Sequence, residues 1–413
     1  MPPPLRIALR FILSRQRSML MSLAGIVFGV GFFIITQAQT AGFEQYYIQT
    51  IIGTDSPIRI TERIQGAGEP LRAGEEDADF ILSSGAGQPV EGVAYPQRLR
   101  TALNNFSAVT GVSEVIRGEA AASGPDGSET ARINGIRLRD HISVTNLEGQ
   151  IVAGALSDFA GDPSRVMLGV KLAARLGVDV GDFLLLETSV GSRRYRVVAI
   201  FESGIDLIDS RRIFMHLSEA RSLLRQPFGG ALFQVNVRDP DDAPELAARM
   251  QEVLNHNVIS WQERERTWLE VFAALKASSA LTVSTIILIS GLGMFNTLAM
   301  LVLEKTREIA ILRSMGYTRP DVTQIFLWQG TLVLIAGTLV GWAFGAAVTW
   351  GVSHVPIRIR GIFSTDSFVV AWDINHYIWA AVISSFVVMA ASYLPARKAA
   401  RLEPGAIIRG AGQ

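Results

Sequence analysis

The chain has 413 residues, of which 49% are hydrophobic and 18% are charged, with a formal net charge of zero and a mean hydropathy of +0.29. This composition is too apolar for an ordinary soluble enzyme of this length and indicates a membrane protein. The absence of cysteine excludes disulfides, thiolate metal sites and cysteine nucleophiles.

Four long segments without charged residues predict four transmembrane helices. They are residues 18–42, residues 277–303, part of residues 322–357, and residues 374–396. Each is long enough, at about 1.5 Å per residue, to cross a hydrocarbon core of roughly 30 Å. The first follows four arginines and can also be read as a secretory signal peptide. Its apolar core is longer than a signal peptide requires and no clear A-x-A site follows, so we expect an uncleaved span.

The charges that flank these segments predict the orientation of the chain. The N-terminus, the segment between the second and third spans, and the C-terminus together hold twelve basic residues against four acidic ones. By the positive-inside rule, all three lie in the cytoplasm. Residues 42–270 instead hold 23 lysines and arginines against 32 aspartates and glutamates, a net charge of 23 − 32 = −9.

The predicted fold is an α-helical membrane protein with four transmembrane helices and a large α+β extracytoplasmic domain of two lobes, inserted between the first and second helices. The predicted segments are a cytoplasmic interfacial helix (1–17), the first span (18–42), the outer domain (43–270), the second span (271–303), a cytoplasmic loop (304–321), the third span (322–352), a short outer loop (353–373), the fourth span (374–396) and a cytoplasmic tail (397–413).

Within the outer domain, short strand and helix patterns alternate. Residues 57–61 and 111–118 predict strands and residues 96–103 a helix, whereas residues 62–95 read as irregular. Residues 166–187 predict a strand, a helix, a glycine turn and a strand that returns through a tight hairpin. A strand then leads into a helix that we expect Ser218 to cap. A further strand at 231–240 and a helix at 243–254 complete the pattern.

Aromatic residues recur at helical spacing on both sides of the outer domain. Phe43 and Tyr47 follow the first span, and Trp268 and Phe272 precede the second. This pattern predicts that both spans continue out of the bilayer as helices that pack as a stalk. Two ordinary core helices of the outer domain would give the same pattern.

Glycines at four-residue spacing predict sites of close helix packing. They are Gly25 and Gly29 in the first span, and Gly337, Gly341 and Gly345 in the third. Small residues let helix backbones approach closely in lipid. Packing within one protomer and packing between two protomers both remain open.

The loop 304–321 is compact, charged and helix-favouring, and it lies between two apolar spans. Its helical pattern stops at Gly316, with Pro320 beyond. An apolar stripe along this helix would not be needed by a simple solvated hairpin, so we expect a docking surface for a cytoplasmic partner. The predicted docking residues are Arg307, Glu308, Ile309, Leu312, Arg313, Met315 and Gly316.

Motifs for catalysis or cofactor binding are missing from the sequence. There is no P-loop, no H-E-x-x-H and no G-x-S-x-G, and the five histidines have no ligand spacing. We therefore expect no catalytic residue, no metal and no cofactor bound by this chain, and no nucleic-acid partner.

Several segments carry a family resemblance. The loop EKTREIAILRSMGYT resembles the signature loop of FtsX-like ABC transporter permeases, a group that includes MacB-type and lipoprotein-releasing permeases. The segments IALRFILSRQRSML, WQERERTWLEVFAALK and YLPARKAARLEPGAIIRG extend the resemblance over most of the chain. The opening, the GFE that follows the first span and the tryptophan-rich approach to the second span are most similar to the lipoprotein-releasing type.

The resemblance implies the membrane subunit of an ABC complex. Its expected partners are a cytoplasmic ATPase that carries the ATP and Mg²⁺, a second permease copy or paralogue in a dimer, membrane lipids, and a lipoprotein or periplasmic partner. It implies mechanotransmission, in which ATPase closure moves the outer domain and drives a lipid-anchored substrate from the inner membrane. Two alternatives stay open: an FtsX-like regulator that transports nothing, and a MacB-type efflux component. The short turn at 187–195 departs from permeases that grip a soluble carrier with a long hairpin.

Overall fold

The structure is a computed structural model. It describes residues 3–14, 16–61, 93, 95–226, 231–355 and 368–401. The irregular segment expected at 62–95 therefore lies almost wholly outside the described residues.

Helices account for most of the described residues. They are α1 (Pro3–Ser14), α2 (Gln16–Asp55), α3 (Pro96–Leu103), α4 (Leu138–His141), α5 (Leu156–Ala160), α6 (Val170–Leu176), α7 (Asp206–Asp209), α8 (Leu217–Leu223), α9 (Ala243–Leu254), α10 (Trp261–Arg264), α11 (Arg266–Glu304), α12 (Thr306–Ser314), α13 (Arg319–Ser353) and α14 (Ile374–Ala400).

Four of these helices are long and apolar enough to cross a membrane: α2, α11, α13 and α14. Helix α2 has 40 residues and α11 has 39, about twice the length that a bilayer requires. Helix α2 continues beyond the span expected at 18–42, and α11 begins before the span expected at 271–303.

The chain divides into two compact units. One comprises Met1–Gln45, Glu270–Pro356 and Ser367–Gln413, and we call it the membrane unit. The other comprises Tyr46–Leu269 and Ile357–Asp366, and we call it the sheet unit. Because both boundaries on the long helices fall inside a helix, α2 and α11 each contribute residues to both units.

The core of the membrane unit is an apolar cluster shared by its helices. Ile26 and Val30 of α2, Ile287 of α11 and Phe326 of α13 are buried in it. Ala8 and Phe11 of α1 join the same cluster, so the N-terminal helix is packed on one face. Leu9 of the same helix is exposed, whereas Phe11 is buried.

The sheet unit is built on one sheet of ten strands. They are β1 (Ile58–Thr61), β2 (Val109–Gly124), β3 (Gly127–Ile136), β4 (Ile151–Gly154), β5 (Arg165–Gly169), β6 (Phe183–Thr188), β7 (Gly191–Phe201), β8 (Arg212–His216), β9 (Ala231–Val237) and β10 (Asn257–Ser260).

The strand order is β10-β1-β9-β2-β3-β8-β5-β7-β4, and β6 pairs with both β2 and β7. The path β2-β3-β8-β5-β7-β6 therefore returns to β2 and closes a ring. One apolar cluster lies at β1, β9 and β10 with α3 and α9 against it, and two more lie against the strands of the ring. The described strands form a single sheet, and the division into two lobes stays a prediction.

Local signals in the sequence account for most element boundaries in the sheet unit. Helices α3 and α9 begin and end at the predicted residues, and Gly177 ends α6 in the left-handed region with a φ of +64°. The prediction for Ser218 is wrong: α8 begins at Leu217 after His216, which makes no side-chain cap. Helix α8 starts two residues earlier than a Ser218 cap would require, because β8 runs directly into it and Leu217 is buried in the core.

Candidate functional site

A groove lies between α1 and α12 in the membrane unit. Its volume is about 450 Å³, and it is open to the surface. The floor is apolar and the rim is charged. The lining residues are Ile7, Arg10, Phe11, Lys305, Glu308, Ile311 and Leu312.

Two local features fix the position of α12. Lys305 interrupts the path from α11, with φ of −90° and ψ of 10°, so α12 is a separate helix and not a continuation of the span. At the other end, Gly316 has a φ of +99°, a region in which residues with a side chain are strained. Thr318 and Asp321 then form a capping box that starts α13. The sequence predicted the stop at Gly316 but not the break at Lys305.

The structure separates the predicted docking residues into two sets. Ile309 is buried in the core of the membrane unit, and Arg313 Nη1 donates to the carbonyl oxygen of Ala400 at 3.4 Å. Leu312 is half-buried and lines the groove. Met315 is 73% exposed, and Arg307, Glu308 and Gly316 are also exposed. The apolar stripe of α12 thus serves both the core and the surface.

Ile311 is the groove residue of α12 that the sequence did not single out. Its side chain is 46% exposed although it lies next to the buried Ala310. The predicted apolar stripe follows i, i+3 and i+6 spacing along α12, and Ile311 lies off it. Ile311 lines the groove because α1 packs beside α12. A groove formed by two helices far apart in sequence has no signal within either helix.

The rim of the groove carries charged residues on both of its sides. Lys305 Nζ lies 2.5 Å from Glu308 Oε1 and 5.4 Å from the centre of the Phe11 ring. Arg10 is exposed on the opposite side. The groove therefore offers both an acceptor and donors around an apolar floor, which suits an amphipathic segment of a partner.

The predicted stalk residues lie in two separate environments. In the sheet unit, the Tyr47 and Trp268 rings are 5.6 Å apart, and Tyr47 Oη donates to Glu265 Oε2 at 2.6 Å. In the membrane unit, Phe43 lies edge-on to Phe368 at 5.3 Å, and Phe272 is buried. Tyr47 of α2 and Trp268 of α11 therefore contact each other, and the packing of the two helices as a stalk stays a prediction.

The predicted glycines contact other helices of the same chain. A Cβ on Gly337 would lie 2.8 Å from Ile26, and one on Gly341 would lie 2.8 Å from Val30. Gly345 faces Ile34 in the same way. On the other side of α2, Gly29 faces Ile287, and the carbonyl oxygen of Gly25 accepts a hydrogen bond from Ser290 Oγ at 2.9 Å.

Comparison with protein families decides what this architecture is. The model of the MacB-like periplasmic core domain matches residues 19–253, and that of the FtsX-like permease C-terminal region matches residues 280–404. The chain is an FtsX-like permease. It is the permease subunit of an ABC transporter and a protein of the bacterial inner membrane.

Two relatives match the permease over nearly their whole length. The permease is 24% identical to the lipoprotein-releasing system transmembrane protein LolC of Xylella fastidiosa over 99% of each chain. It is 23% identical to the ABC transporter permease YknZ of Bacillus subtilis over 97% of each chain. A segment covering 31% of the chain is 33% identical to 19% of the macrolide export ATP-binding/permease protein MacB of Vibrio parahaemolyticus.

Among the residues that the structure describes, the permease has no group of three histidine, aspartate or glutamate side chains placed to hold a metal ion. Its strongest charge cluster is instead a set of arginines around one carboxylate, Asp55, at the last residue of α2. Asp55 Oδ1 accepts from Arg117 at 3.0 Å, from Arg212 at 3.4 Å and from Gln234 at 3.1 Å, and Arg59 pairs with Oδ2. We call these five residues the Asp55 anchor.

The Asp55 anchor ties the end of α2 to four strands. Arg59, Arg117, Arg212 and Gln234 belong to β1, β2, β8 and β9. Close by, Asn146 N donates to the carbonyl oxygen of Gly53 at 2.7 Å, and Gln150 donates to Thr54 Oγ1 at 2.9 Å. No pattern in the sequence predicted this cluster. Its signal was a single acidic residue at the end of an apolar helix, and its arginines are spread over 150 residues.

Burial lowers the pKa values of basic groups in and beside the anchor. It lowers the pKa of Arg59 to about 10, although the Asp55 carboxylate acts in the opposite direction. It also lowers the pKa of His141 to about 3, helped by the positive charge of Arg212. His141 Nδ1 lies 3.3 Å from Ser113 Oγ, and no described residue hydrogen-bonds to its buried Nε2. His141 is therefore neutral at physiological pH.

Proposed function

We propose that this permease binds a cytoplasmic ATPase subunit in the groove between α1 and α12. ATP hydrolysis by that subunit would move the extracytoplasmic domain of the permease. The observation that carries the proposal is the groove itself. It joins an apolar floor to a charged rim at the short helix α12, which lies directly between two long apolar helices. The sequence has no P-loop, so the ATP and Mg²⁺ would be held by the partner.

The proposed orientation places both termini and α12 in the cytoplasm. Twelve basic residues against four acidic ones in the three segments concerned support it. The sheet unit, with its excess of acidic residues, would then lie outside the membrane.

The proposed assembly is a dimer of two permease copies or paralogues with two ATPase subunits. The described surfaces of α2 and α11 support it, because both carry large exposed apolar side chains. On α2 these include Phe28 and Phe32, and on α11 they include Leu281, Leu288 and Leu292. Such faces require lipid or another apolar helix beside them.

The proposed substrate is a lipoprotein or another lipid-anchored molecule, extracted from the inner membrane between the apolar faces of the dimer. Support comes from the full-length similarity to LolC, whose name assigns it to a lipoprotein-releasing system. The exposed faces of α2 and α11 would accept acyl chains by burial of apolar surface.

Transmission of force would follow the two long helices. Helix α2 runs without a break from the membrane unit to the Asp55 anchor. The anchor binds four strands of the sheet through ion pairs and a hydrogen bond. Movement of α2 would therefore be passed to the strands rather than lost in a flexible linker. We propose two lobes for the moving domain, one around β1, β9 and β10 and one around the ring of strands.

The β6–β7 hairpin bears on what happens to the substrate next. Thr188 pairs with Gly191, so only Ser189 and Val190 form the turn. A two-residue turn provides no long extension for gripping a soluble carrier. This observation keeps the second candidate, an FtsX-like regulator of a periplasmic partner, and a MacB-type component remains a third.

Substitution of Ile311 by aspartate tests the docking groove. A carboxylate buried against the apolar floor costs several kcal/mol, and a loss of about 3 kcal/mol would weaken binding more than a hundredfold. We expect Ile311→Asp to abolish co-purification of the ATPase and permease-stimulated hydrolysis. Ser314→Asp is the matched control, because Ser314 is exposed on the same helix but does not line the groove.

Expression level and thermal melting of both variants exclude misfolding as the cause. If Ile311→Asp folds normally and retains ATPase binding and stimulated hydrolysis, the groove is not the docking site. Release of a lipid-anchored reporter from spheroplasts then separates the transporter from the regulator. A regulator would couple to the ATPase without releasing the reporter.

A further inference from the structure

A second groove of about 380 Å³ lies where α13 begins and α14 ends. The two helices pack antiparallel. Thr331 of α13 contacts Met389 of α14 near one end, and Trp342 contacts Tyr377 near the other. The first turn of α13 therefore meets the last turn of α14. Arg319, Thr323 and Gln324 line the groove from α13, and Arg397 and Arg401 line it from the end of α14.

The charge of this groove is positive and uncompensated among the described residues. Three arginines line it and no carboxylate does. None of the three makes an ion pair with another described residue. The nearest carboxylate along α13, Asp321, is engaged by the backbone N–H and hydroxyl of Thr318 in the capping box.

The hydrogen-bonding groups of the groove match a phosphate. Each guanidinium presents its N–H donors in a planar fork that can bind two phosphate oxygens, and the exposed Gln324 amide adds a further donor. The backbone N–H of Arg319, the first residue of α13, adds one donor at the positive end of the helix dipole.

The position of the groove along the helices identifies the source of the phosphate. Arg319 begins one candidate membrane span, and Ala400 ends another. The arginines therefore lie at the level where the hydrocarbon core gives way to lipid headgroups. One turn further into the span, Tyr393 and Leu394 are exposed and offer apolar surface to an acyl chain. A ligand with a phosphate at the arginines and a chain along α14 would satisfy both features.

We propose that this groove is a binding site for the headgroup phosphate of an anionic phospholipid, held by Arg319, Arg397 and Arg401. A net negative lipid is favoured over a zwitterionic one because three positive charges face the headgroup. The bound lipid would neutralise the arginines and join the ends of α13 and α14 next to α12, where Arg313 donates to the carbonyl oxygen of Ala400.

The test uses the purified full chain in mixed micelles with equal amounts of phosphatidylglycerol and phosphatidylcholine. Native mass spectrometry counts the lipids that remain bound. We expect the wild-type chain to retain phosphatidylglycerol preferentially, and Arg319→Gln/Arg397→Gln to retain at least about tenfold less, since loss of charge-assisted hydrogen bonds of this kind weakens binding by that order.

Lys398→Gln is the matched control, because Lys398 is exposed beside Arg397 but does not line the groove. It should retain lipid as the wild type does. Arg397→Lys keeps the charge without the planar fork and should retain an intermediate amount, which shows that charge and geometry both contribute. Melting temperatures with added phosphatidylglycerol or inorganic phosphate distinguish the two phosphate sources, and only the lipid should stabilise the wild type.

Four outcomes would overturn the proposal. The first is equal retention of the two lipids by the wild type. The second is equal loss of lipid in Lys398→Gln and Arg319→Gln/Arg397→Gln, which would show a diffuse surface charge effect. The third is equal stabilisation by inorganic phosphate, which would show a site for a free anion. The fourth is that Arg319→Gln/Arg397→Gln retains as much lipid as the wild type but no longer co-purifies with the ATPase. This result would assign the arginines to a protein interface.

Discussion

At the scale of single residues, Asp55 has the most demanding environment in the described part of the sheet unit. One carboxylate faces Arg59, Arg117 and Arg212, and the Arg212 side chain is only 8% exposed. Removing one partner from a buried charge cluster leaves the remaining charges without compensation, which is more costly than the loss of one hydrogen bond. Asp55 therefore matters mainly because it allows three arginines to meet at the end of α2.

Substitution of Asp55 by asparagine should destabilise the sheet unit. The amide keeps the shape but leaves the arginines without their counter-charge, so we expect a loss of about 3–5 kcal/mol in the free energy of unfolding. Thermal melting and limited proteolysis of the purified chain measure the effect. Glu245→Gln is the control, because Glu245 pairs with Arg249 at an exposed site and should change neither readout. Unchanged melting of Asp55→Asn would mean that the anchor is not structural.

His141 gives the sheet unit a pH-dependent stability. Its pKa is lowered from 6.5 to about 3 in the folded chain, so the unfolded chain binds the extra proton between these values. The stabilisation from neutral His141 is fully present above pH 6.5 and is lost as the pH falls toward 3. Between pH 7 and pH 5 we expect a loss of roughly 2 kcal/mol.

His141→Gln should reduce this pH dependence, because glutamine does not titrate. The measurement is the melting temperature at pH 7 and pH 5 for the wild type and for His141→Gln. His256→Gln, a second histidine variant in the sheet unit, is the control. An identical drop in melting temperature for wild type and His141→Gln would contradict the assignment. The range stops at pH 5 because paired carboxylates begin to titrate below it.

At the scale of secondary structure, the sequence predicted elements that carry their own signals. Pro96 at the start of α3 and Gly316 after α12 set boundaries through backbone conformation alone, and the charge-free segments located all four long helices. The prediction was weaker where tertiary packing determines the end of a helix. Lys305 lies within a helix-favouring run, yet α11 ends before it so that α12 can bury Ile309 beside α1.

Helix α13 shows how small residues set the distance between helices. A Cβ on Gly341 would come within 2.9 Å of Val30 Cβ and 3.2 Å of the Val27 carbonyl oxygen on α2. Gly341→Val should therefore force α2 and α13 apart and cost about 1–3 kcal/mol. Gly351→Ala lies on the same helix, where a Cβ meets nothing within 4 Å, and should not destabilise the chain.

Thermal melting in detergent compares the two variants, and size-exclusion chromatography reports the oligomeric state. If Gly341→Val melts like the wild type but no longer forms the dimer, the glycine face packs between protomers. That result would favour the dimerisation alternative over packing within one chain.

At the scale of the whole molecule, the sequence predicted the features that depend on nearby residues or on sums along a segment. Hydropathy and charge are summed over a segment, so the membrane helices and the acidic segment between the first two of them could be read directly. The Asp55 anchor and the groove between α1 and α12 could not be read in this way. Arg117 and Arg212 lie on different strands that the folded sheet brings to Asp55, and Phe11 contacts Lys305 across almost 300 residues.

The orientation of the molecule is the prediction that connects all of these features, because it decides whether α12 can meet a cytoplasmic ATPase. The absence of cysteine allows single cysteines to be introduced without background. Ser128 in β3 and Ser192 in β7 are exposed, as is Ser314 in α12. With an impermeant thiol reagent on spheroplasts, Ser128→Cys and Ser192→Cys should label, and Ser314→Cys should label only after the membrane is permeabilised. The reversed pattern would place α12 outside the cell, and neither the proposed docking groove nor the proposed direction of transport would then survive.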